Sequence, residues 1–275
     1  MHLEKVGGVI GARVEGVDLR RLDASTTAAV EAALYEHGVL FFRNQSLTEE
    51  EQVELARRFG EPSIYPISKV YGATDPVCSA IIDGPDSPPS TDDWHTDVTW
   101  IERPPMIGIL CGLEMPAHGG DTMWASTVDL YRSLSPALRS LLDGLEAEHS
   151  CWPHFCEIAE GKSGIEGLGQ KIRDAYPPVM HPVVRTHPVT GERAYYDGAD
   201  GMGTATELDD AEWQAIRSYL VAMFDEPKRQ VRWAWAEGYV AIWDERLTVH
   251  RGVSDHFPLR RVVRRITVDG ERPAF

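Results

Sequence analysis

Short apolar runs bounded by turn residues recur along the whole chain, without the regular strand–helix–strand alternation that a parallel sheet demands. Strands are predicted over residues 9–14, 38–42, 91–100, 106–113, 180–186, 195–196, 230–235, 239–243 and Arg261–Val268. Helices are fewer. One covers 26–36, and one runs from Thr48 to Gly60, opened by a Thr48/Glu51 capping box. A third covers 135–143. The clearest covers 209–224, where Trp213, Ile216, Leu220, Met223 and Phe224 recur at helical spacing. The pattern predicts a mostly-β core with covering helices, a double-sheet jelly roll. With neither a GxGxxG run nor a P-loop, nucleotide-binding folds are disfavoured.

Composition narrows the partners. The 275 residues carry 43 acidic and 27 basic side chains, a formal net charge of −16, so no basic stripe is available for nucleic acid. The four cysteines, Cys78, Cys111, Cys151 and Cys156, form no CxxC pair and read as free thiols. The first residues lack the apolar run of a signal peptide, and no 18-residue apolar window occurs. A cytoplasmic protein without membrane contact is expected. No linker divides the chain, which predicts a single domain over 1–275. The polar segment 151–178, with Gly161, Gly164, Gly167 and Gly169, suits a lid or active-site loop.

Chemistry first enters at Trp94-His95-Thr96-Asp97. On a strand, positions two apart share a face, so His95 and Asp97 would present an imidazole and a carboxylate together. That is two thirds of a facial metal triad. Taken alone it is equally a surface histidine near an acid. A third ligand could be His118, His149, His154, His181, His187, His250 or His256. His250 stands out because it follows an apolar strand and the polar turn Asp244-Glu245-Arg246. Beyond it, Arg261, Val263 and Arg265 share one face of an apolar strand, with Arg264 on the other. Guanidinium groups in such a place either grip a ligand carboxylate or close structural salt bridges. Gly119-Gly120-Asp121-Thr122-Met123-Trp124 reads as a tight turn into a short strand, with a Thr122 hydroxyl able to donate to an anion.

Together these segments resemble the taurine/2,4-D dioxygenase family of iron(II)/2-oxoglutarate oxygenases. The likeness runs nearly end to end, through GARVEGVDL, GVLFFRNQSLT, ARRFGEP, DDWHTDVTWIERPP, GGDTMWAS, HPVVRTHPVTGE, QVRWAWAEG, VAIWDERLTVH and the arginine strand. The resemblance implies a double-stranded β-helix, cupin-like, with Fe(II), 2-oxoglutarate and O2 as cofactors. It also implies iron ligands His95, Asp97 and His250, and 2-oxoglutarate contacts from Thr122 and Arg261. Arg265 matches the arginine that binds the substrate anion, with Val98 beside it in the pocket. The pocket departs from the taurine pattern at Tyr65, Ser68, Thr91 and Trp100, and in the 197–203 segment, which points to an anionic substrate other than taurine. Because Asp97 is retained where related halogenases carry Gly or Ala, hydroxylation is implied. Alternatives within this chemistry are cleavage of an aryloxyalkanoate or alkylsulfate, or tailoring of a natural-product carboxylic acid. A zinc hydrolase using the same ligands is the alternative from another class, but it leaves Thr122 and Arg261 unexplained. A small anionic substrate and a homo-oligomer, dimer or tetramer, complete the expected partners.

Overall fold

A computed structural model describes residues 1–151, 156, 160–161 and 164–275. Its strands are β1 (His2–Lys5), β2 (Ala12–Glu15), β3 (Val39–Phe42), β4 (Ser79–Asp83), β5 (Ile107–Glu114), β6 (Thr122–Ser126), β7 (Glu146–His149), β8 (Val179–Pro182), β9 (Val184–Thr186), β10 (Arg193–Tyr195), β11 (Met202–Ala205), β12 (Gln230–Trp233), β13 (Val240–Asp244), β14 (Thr248–Gly252) and β15 (Arg261–Val268). The helices are α1 (Ala24–His37), α2 (Glu49–Arg57), α3 (Pro66–Val70), α4 (Thr127–Ser133), α5 (Pro136–Leu142), α6 (Leu168–Ala175) and α7 (Asp210–Phe224).

The main sheet has the order β1-β2-β3-β13-β5-β15-β4, antiparallel except where β2 runs parallel to β3. A three-stranded sheet, β12-β6-β14, lies across it. Their facing side chains, Phe41, Leu110, Trp243 and Val263 from one and Trp124, Val231 and Trp233 from the other, form one apolar cluster. The outer face of the main sheet packs Leu40, Phe42, Ile109, Val240, Ile242, Ile266 and Val268 against Val30 and Leu34 of α1 and Leu55 of α2. Ala125 and Val249, on the outer face of the small sheet, join a third cluster with Leu130 of α4 and Trp213, Leu220 and Phe224 of α7. Strand β3 is apolar at every position, and β13 at every position before its closing Asp244, because both of their faces are buried. Among the described residues, no helix is long and apolar enough to cross a membrane.

Several expectations need correction. Residues 91–100 are not a strand: His95 makes a single bridge to His250, and 97–100 form a turn. The expected 180–186 strand is broken at Val183 into β8 and β9, and the 230–235 strand stops at Trp233. The first long-range strand starts at Ala12 rather than Val9. Strands β1, β4, β7, β11 and β14 escaped the sequence reading because they are short and polar or interrupted. The expected lid over 151–178 lies partly outside the described residues, as does His154. Within its described part, α6 buries Leu168 and Ile172 beside Val98 and Trp100.

Gly108 shows how tightly the sheets position the site. It lies directly opposite Trp243 in the β5–β13 ladder, and a Cβ there would come 2.2 Å from the indole. The indole in turn packs against His250, with ring centroids 5.0 Å apart. Gly108→Ala should therefore destabilise the fold by about 1–3 kcal/mol through overpacking. Thermal unfolding should show the midpoint falling by roughly 3–10 °C. An unchanged midpoint would mean that the indole moves aside freely.

Candidate metal and co-substrate site

The site begins with two backbone hydrogen bonds. His95 N–H donates to the His250 carbonyl at 3.0 Å, and His250 N–H to the His95 carbonyl at 2.8 Å. This bridge sets the two imidazoles side by side, with centroids 4.3 Å apart. The chain then turns, so Asp97 arrives by a bend and not by the strand alternation expected from sequence. Val98 sits in the bend with φ +53°, a costly conformation for a β-branched residue. Three contacts hold the bend in place. Asp97 N–H donates to Glu245 Oε2 at 3.3 Å, and the Thr96 hydroxyl to the Thr248 carbonyl at 3.4 Å. His181 Nε2–H donates to the Ile101 carbonyl at 3.0 Å.

The outcome is a cluster in which one ligand atom each from His95, Asp97 and His250 lies within 4.8 Å of the others. His95 Nε2 is 4.0 Å from Asp97 Oδ1, and His250 Nε2 is 3.9 Å from Asp97 Oδ2. A divalent ion with bonds of about 2.1 Å puts adjacent ligand atoms about 3 Å apart, so a small closing of the side chains completes three of its positions. The protonation states suit a cation. His95 Nδ1–H donates to the Asp93 carbonyl at 2.7 Å, leaving Nε2 with its lone pair toward the cluster. Burial, reinforced by His95, pushes His250 down to about 3, so its imidazole is neutral. Burial pushes the Asp97 carboxyl up, but Arg265, His250 and His95 outweigh it and hold the group at about 2. Two imidazoles and one carboxylate, with His95 and His250 in the wall of a cavity, match the donor set of non-haem iron oxygenases.

β15 brings two cations to the same cavity, whose walls include Thr91, His95, Thr122, Trp124, His250, Arg261, Val263 and Arg265. Arg261 Nη2 donates to the Thr122 hydroxyl oxygen at 3.4 Å, and Trp235 Nε1 donates to the same oxygen at 2.9 Å. With its oxygen accepting twice, the Thr122 hydroxyl has its own proton to offer a bound anion. Arg265 Nη1 lies 2.7 Å from each oxygen of Asp97, and its guanidinium stands over the Tyr65 ring. Arg264 faces the other way, to Gln52 and the Leu47 carbonyl. Arg260 pairs with Glu114 at the surface.

The remaining pocket candidates divide. Thr91 lines the cavity, and Tyr65 lies under Arg265. Val98 and Trp100 pack with Cys151, Cys156, Leu168 and Ile172, and Trp100 meets the edge of Tyr176. Ser68 lies in α3 and is not among the cavity walls. In the 197–203 segment, Asp197 turns to Tyr195 and Arg217.

Further residues support the site in roles that the sequence pattern does not assign them. Glu245, buried behind Asp97, has its carboxyl pushed well up by burial and by the Asp97 charge. Asp244 carries His187 and Arg246, tying down the turn before His250. Asp83 and His256 flank Arg261. The run Asp244-Glu245-Arg246 was visible as a polar turn in an apolar context, which was the available signal. Asp83 had none, standing at the start of a Pro/Gly/Ser loop.

The comparisons agree with this geometry. The profile of the taurine catabolism dioxygenase TauD, TfdA family matches residues 2–267. The chain therefore belongs to that family, and it is an α-ketoglutarate-dependent dioxygenase whose cofactors are Fe(II), 2-oxoglutarate and O2. It is 36% identical over 277 residues to an alpha-ketoglutarate-dependent sulfate ester dioxygenase of Pseudomonas putida, covering 99% of this chain and 91% of that protein. An alkylsulfatase of Acinetobacter baylyi is also 36% identical, over 98% of this chain and 86% of its own length. Among solved structures, a taurine dioxygenase from Burkholderia xenovorans superposes with a TM-score of 0.82 at 33% identity, covering 99% of this chain and 92% of that one.

Replacing His95, Asp97 or His250 singly by alanine should abolish turnover and leave iron substoichiometric after dialysis, because each removes one of three protein ligands. Metal analysis beside an activity assay checks this. Full iron retention in any one variant removes that residue from the ligand set.

Proposed function

We propose that this enzyme hydroxylates a carbon of a small organic anion, and that a sulfate ester is the substrate class it suits best. The observation that carries the reading is the His95–Asp97–His250 cluster, whose two histidines line the same cavity as the Arg261–Thr122 pair. The relatives that act on sulfate esters support the substrate class. In this reading the two facing sheets form the double-stranded β-helix expected from the resemblance. The chain is one domain over 1–275 with its lid in 151–178, and it works as a cytoplasmic homo-oligomer; the end-to-end likeness to its relatives supports this extent.

When bound, iron, 2-oxoglutarate and O2 supply the oxidising power: 2-oxoglutarate loses CO2 and becomes succinate while the substrate C–H gains oxygen. The protein's own residues place the partners. Arg261 and the Thr122 hydroxyl hold the far carboxylate of 2-oxoglutarate by charge-assisted hydrogen bonds. Arg265 steadies the Asp97 carboxylate with Nη1 and offers the rest of its planar fork to the substrate anion. Tyr65, Thr91, Val98 and Trp100 shape the space beside that anion and exclude water. Hydroxylation of the carbon bearing the sulfate ester oxygen yields an unstable product that collapses to an aldehyde and free sulfate.

The test is incubation with Fe(II), 2-oxoglutarate, O2 and a series of alkyl sulfates, reading succinate, aldehyde and sulfate together. Equal amounts of the three are expected. Sulfate released with Zn(II) and without succinate would instead show a hydrolase. Arg261→Ala removes a buried charge-assisted contact of on the order of 2–5 kcal/mol, so the 2-oxoglutarate requirement should rise roughly 30-fold or more. Arg265→Ala should raise the KM for the sulfate ester by roughly tenfold or more, with the 2-oxoglutarate KM little changed. An unchanged ester KM would confine Arg265 to Asp97.

A further inference from the structure

The guanidinium of Arg261 is held on three sides by three residues from two segments, the turn into β6 and the end of β4. Nε donates to the Gly120 carbonyl at 2.8 Å, Nη1 to Asp83 Oδ2 at 3.3 Å, and Nη2 to the Thr122 hydroxyl at 3.4 Å. Asp83 and Arg261 stand directly opposite one another in the β4–β15 ladder. Behind them, His256 Nε2 lies 3.5 Å from the same Asp83 oxygen and, among the described residues, has no hydrogen-bond partner. All of these side chains are buried. Gly120 approaches so closely because it has no side chain. Its φ is +73°, and a Cβ would come 2.9 Å from Arg261 Cδ and 3.3 Å from the His256 ring.

We propose that Asp83 and His256 are positioning residues for the co-substrate: with the Gly120 carbonyl they lock the plane of Arg261, and so set the length of 2-oxo diacid that the site accepts. The proposal rests on the reading of Arg261 as the grip on the far carboxylate. A guanidinium is planar, so contacts at Nε and Nη1 fix its rotation and leave the Nη2 edge, beside Thr122, toward the cavity. Asp83 also balances the Arg261 charge while no diacid is bound, which a buried cation needs. The incoming carboxylate therefore meets a locally neutral pair whose grip comes from geometry more than from net attraction. A rigid grip at a set distance from the metal discriminates by chain length. His256 closes the far side of Asp83 and keeps its carboxylate from swinging away from Arg261.

The experiment uses the full chain with Fe(II) and an alkyl sulfate. It measures kcat and KM for 2-oxoglutarate and for 2-oxoadipate, one methylene longer, together with the KM for the ester. Asp83→Ala should raise the 2-oxoglutarate KM about tenfold and cut the preference for 2-oxoglutarate over 2-oxoadipate by a similar factor. Its kcat at saturation should stay within about twofold and its ester KM should not move. Asp83→Asn keeps an acceptor in place and should recover most of the selectivity. His256→Ala should show a smaller loss of the same kind, and it carries the test if Asp83→Ala does not fold. An unchanged diacid preference in Asp83→Ala and His256→Ala, with Arg261→Ala raising the 2-oxoglutarate KM, overturns this proposal alone. Equal losses in both diacid KM values, the ester KM and the melting temperature overturn it as well, because they describe a structural salt bridge. If Arg261→Ala leaves the 2-oxoglutarate KM untouched, the reading of Arg261 itself falls.

Discussion

Everything around the cavity depends on one strand burying two guanidinium groups on a single face. On β15, Ile266 and Val268 enter the core behind the main sheet, while Val263, Arg261 and Arg265 turn to the space between the sheets. Four residues of strand put the two arginines roughly 13 Å apart. Neither cation could be buried alone, since an unpaired charge in such a place costs several kcal/mol. Each is accordingly matched by a carboxylate, Asp83 for Arg261 and Asp97 for Arg265.

The second pairing joins the arginine strand to the metal cluster. Asp97 is both a prospective ligand and the counter-charge of Arg265, and its amide is caught by Glu245 from the β13–β14 turn. That turn is anchored by the buried Asp244–Arg246 and Asp244–His187 contacts. Burial pushes the Asp244 carboxyl up, while Arg246 and His187 outweigh this and hold it at about 2, so it stays ionised as the hub of the turn. The left-handed backbone at Val98 persists because both sides of the bend are tied in this way, through Glu245 before it and His181 after it. Strain in the ligand-bearing turn is thus balanced by contacts from the β13–β14 turn and from β8.

Much of this was legible in sequence, for identifiable reasons. The apolar strands β3, β5, β13 and β15 announced themselves because both faces are buried, and α2 and α7 through their capping residues and periodicity. The structure brings the three candidate ligands together and sets both arginines in the adjoining cavity, as the sequence pattern leads one to expect, but His95 and Asp97 do not meet by strand alternation. The expected strand is a bridge followed by a turn, and the two side chains converge by a positive-φ bend that no period of two describes. The roles of Asp83, Glu245 and His256 were not legible because they lie in pairings across 178, 148 and 173 positions of chain, set by sheet register for Asp83 and by turns for Glu245 and His256. Ser68, chosen by resemblance, lies in a short helix away from the cavity walls.

The central claim is that one cavity holds a metal at His95, Asp97 and His250, a 2-oxo diacid at Arg261 and a substrate anion at Arg265. Diffraction from crystals grown with Mn(II), N-oxalylglycine and an alkyl sulfate tests it most directly. The account predicts the metal on those three side chains, the far carboxylate of N-oxalylglycine on Arg261 and Thr122, and the sulfate against Arg265. Density for the diacid away from Arg261, or a metal lacking any one of the three ligands, would contradict it.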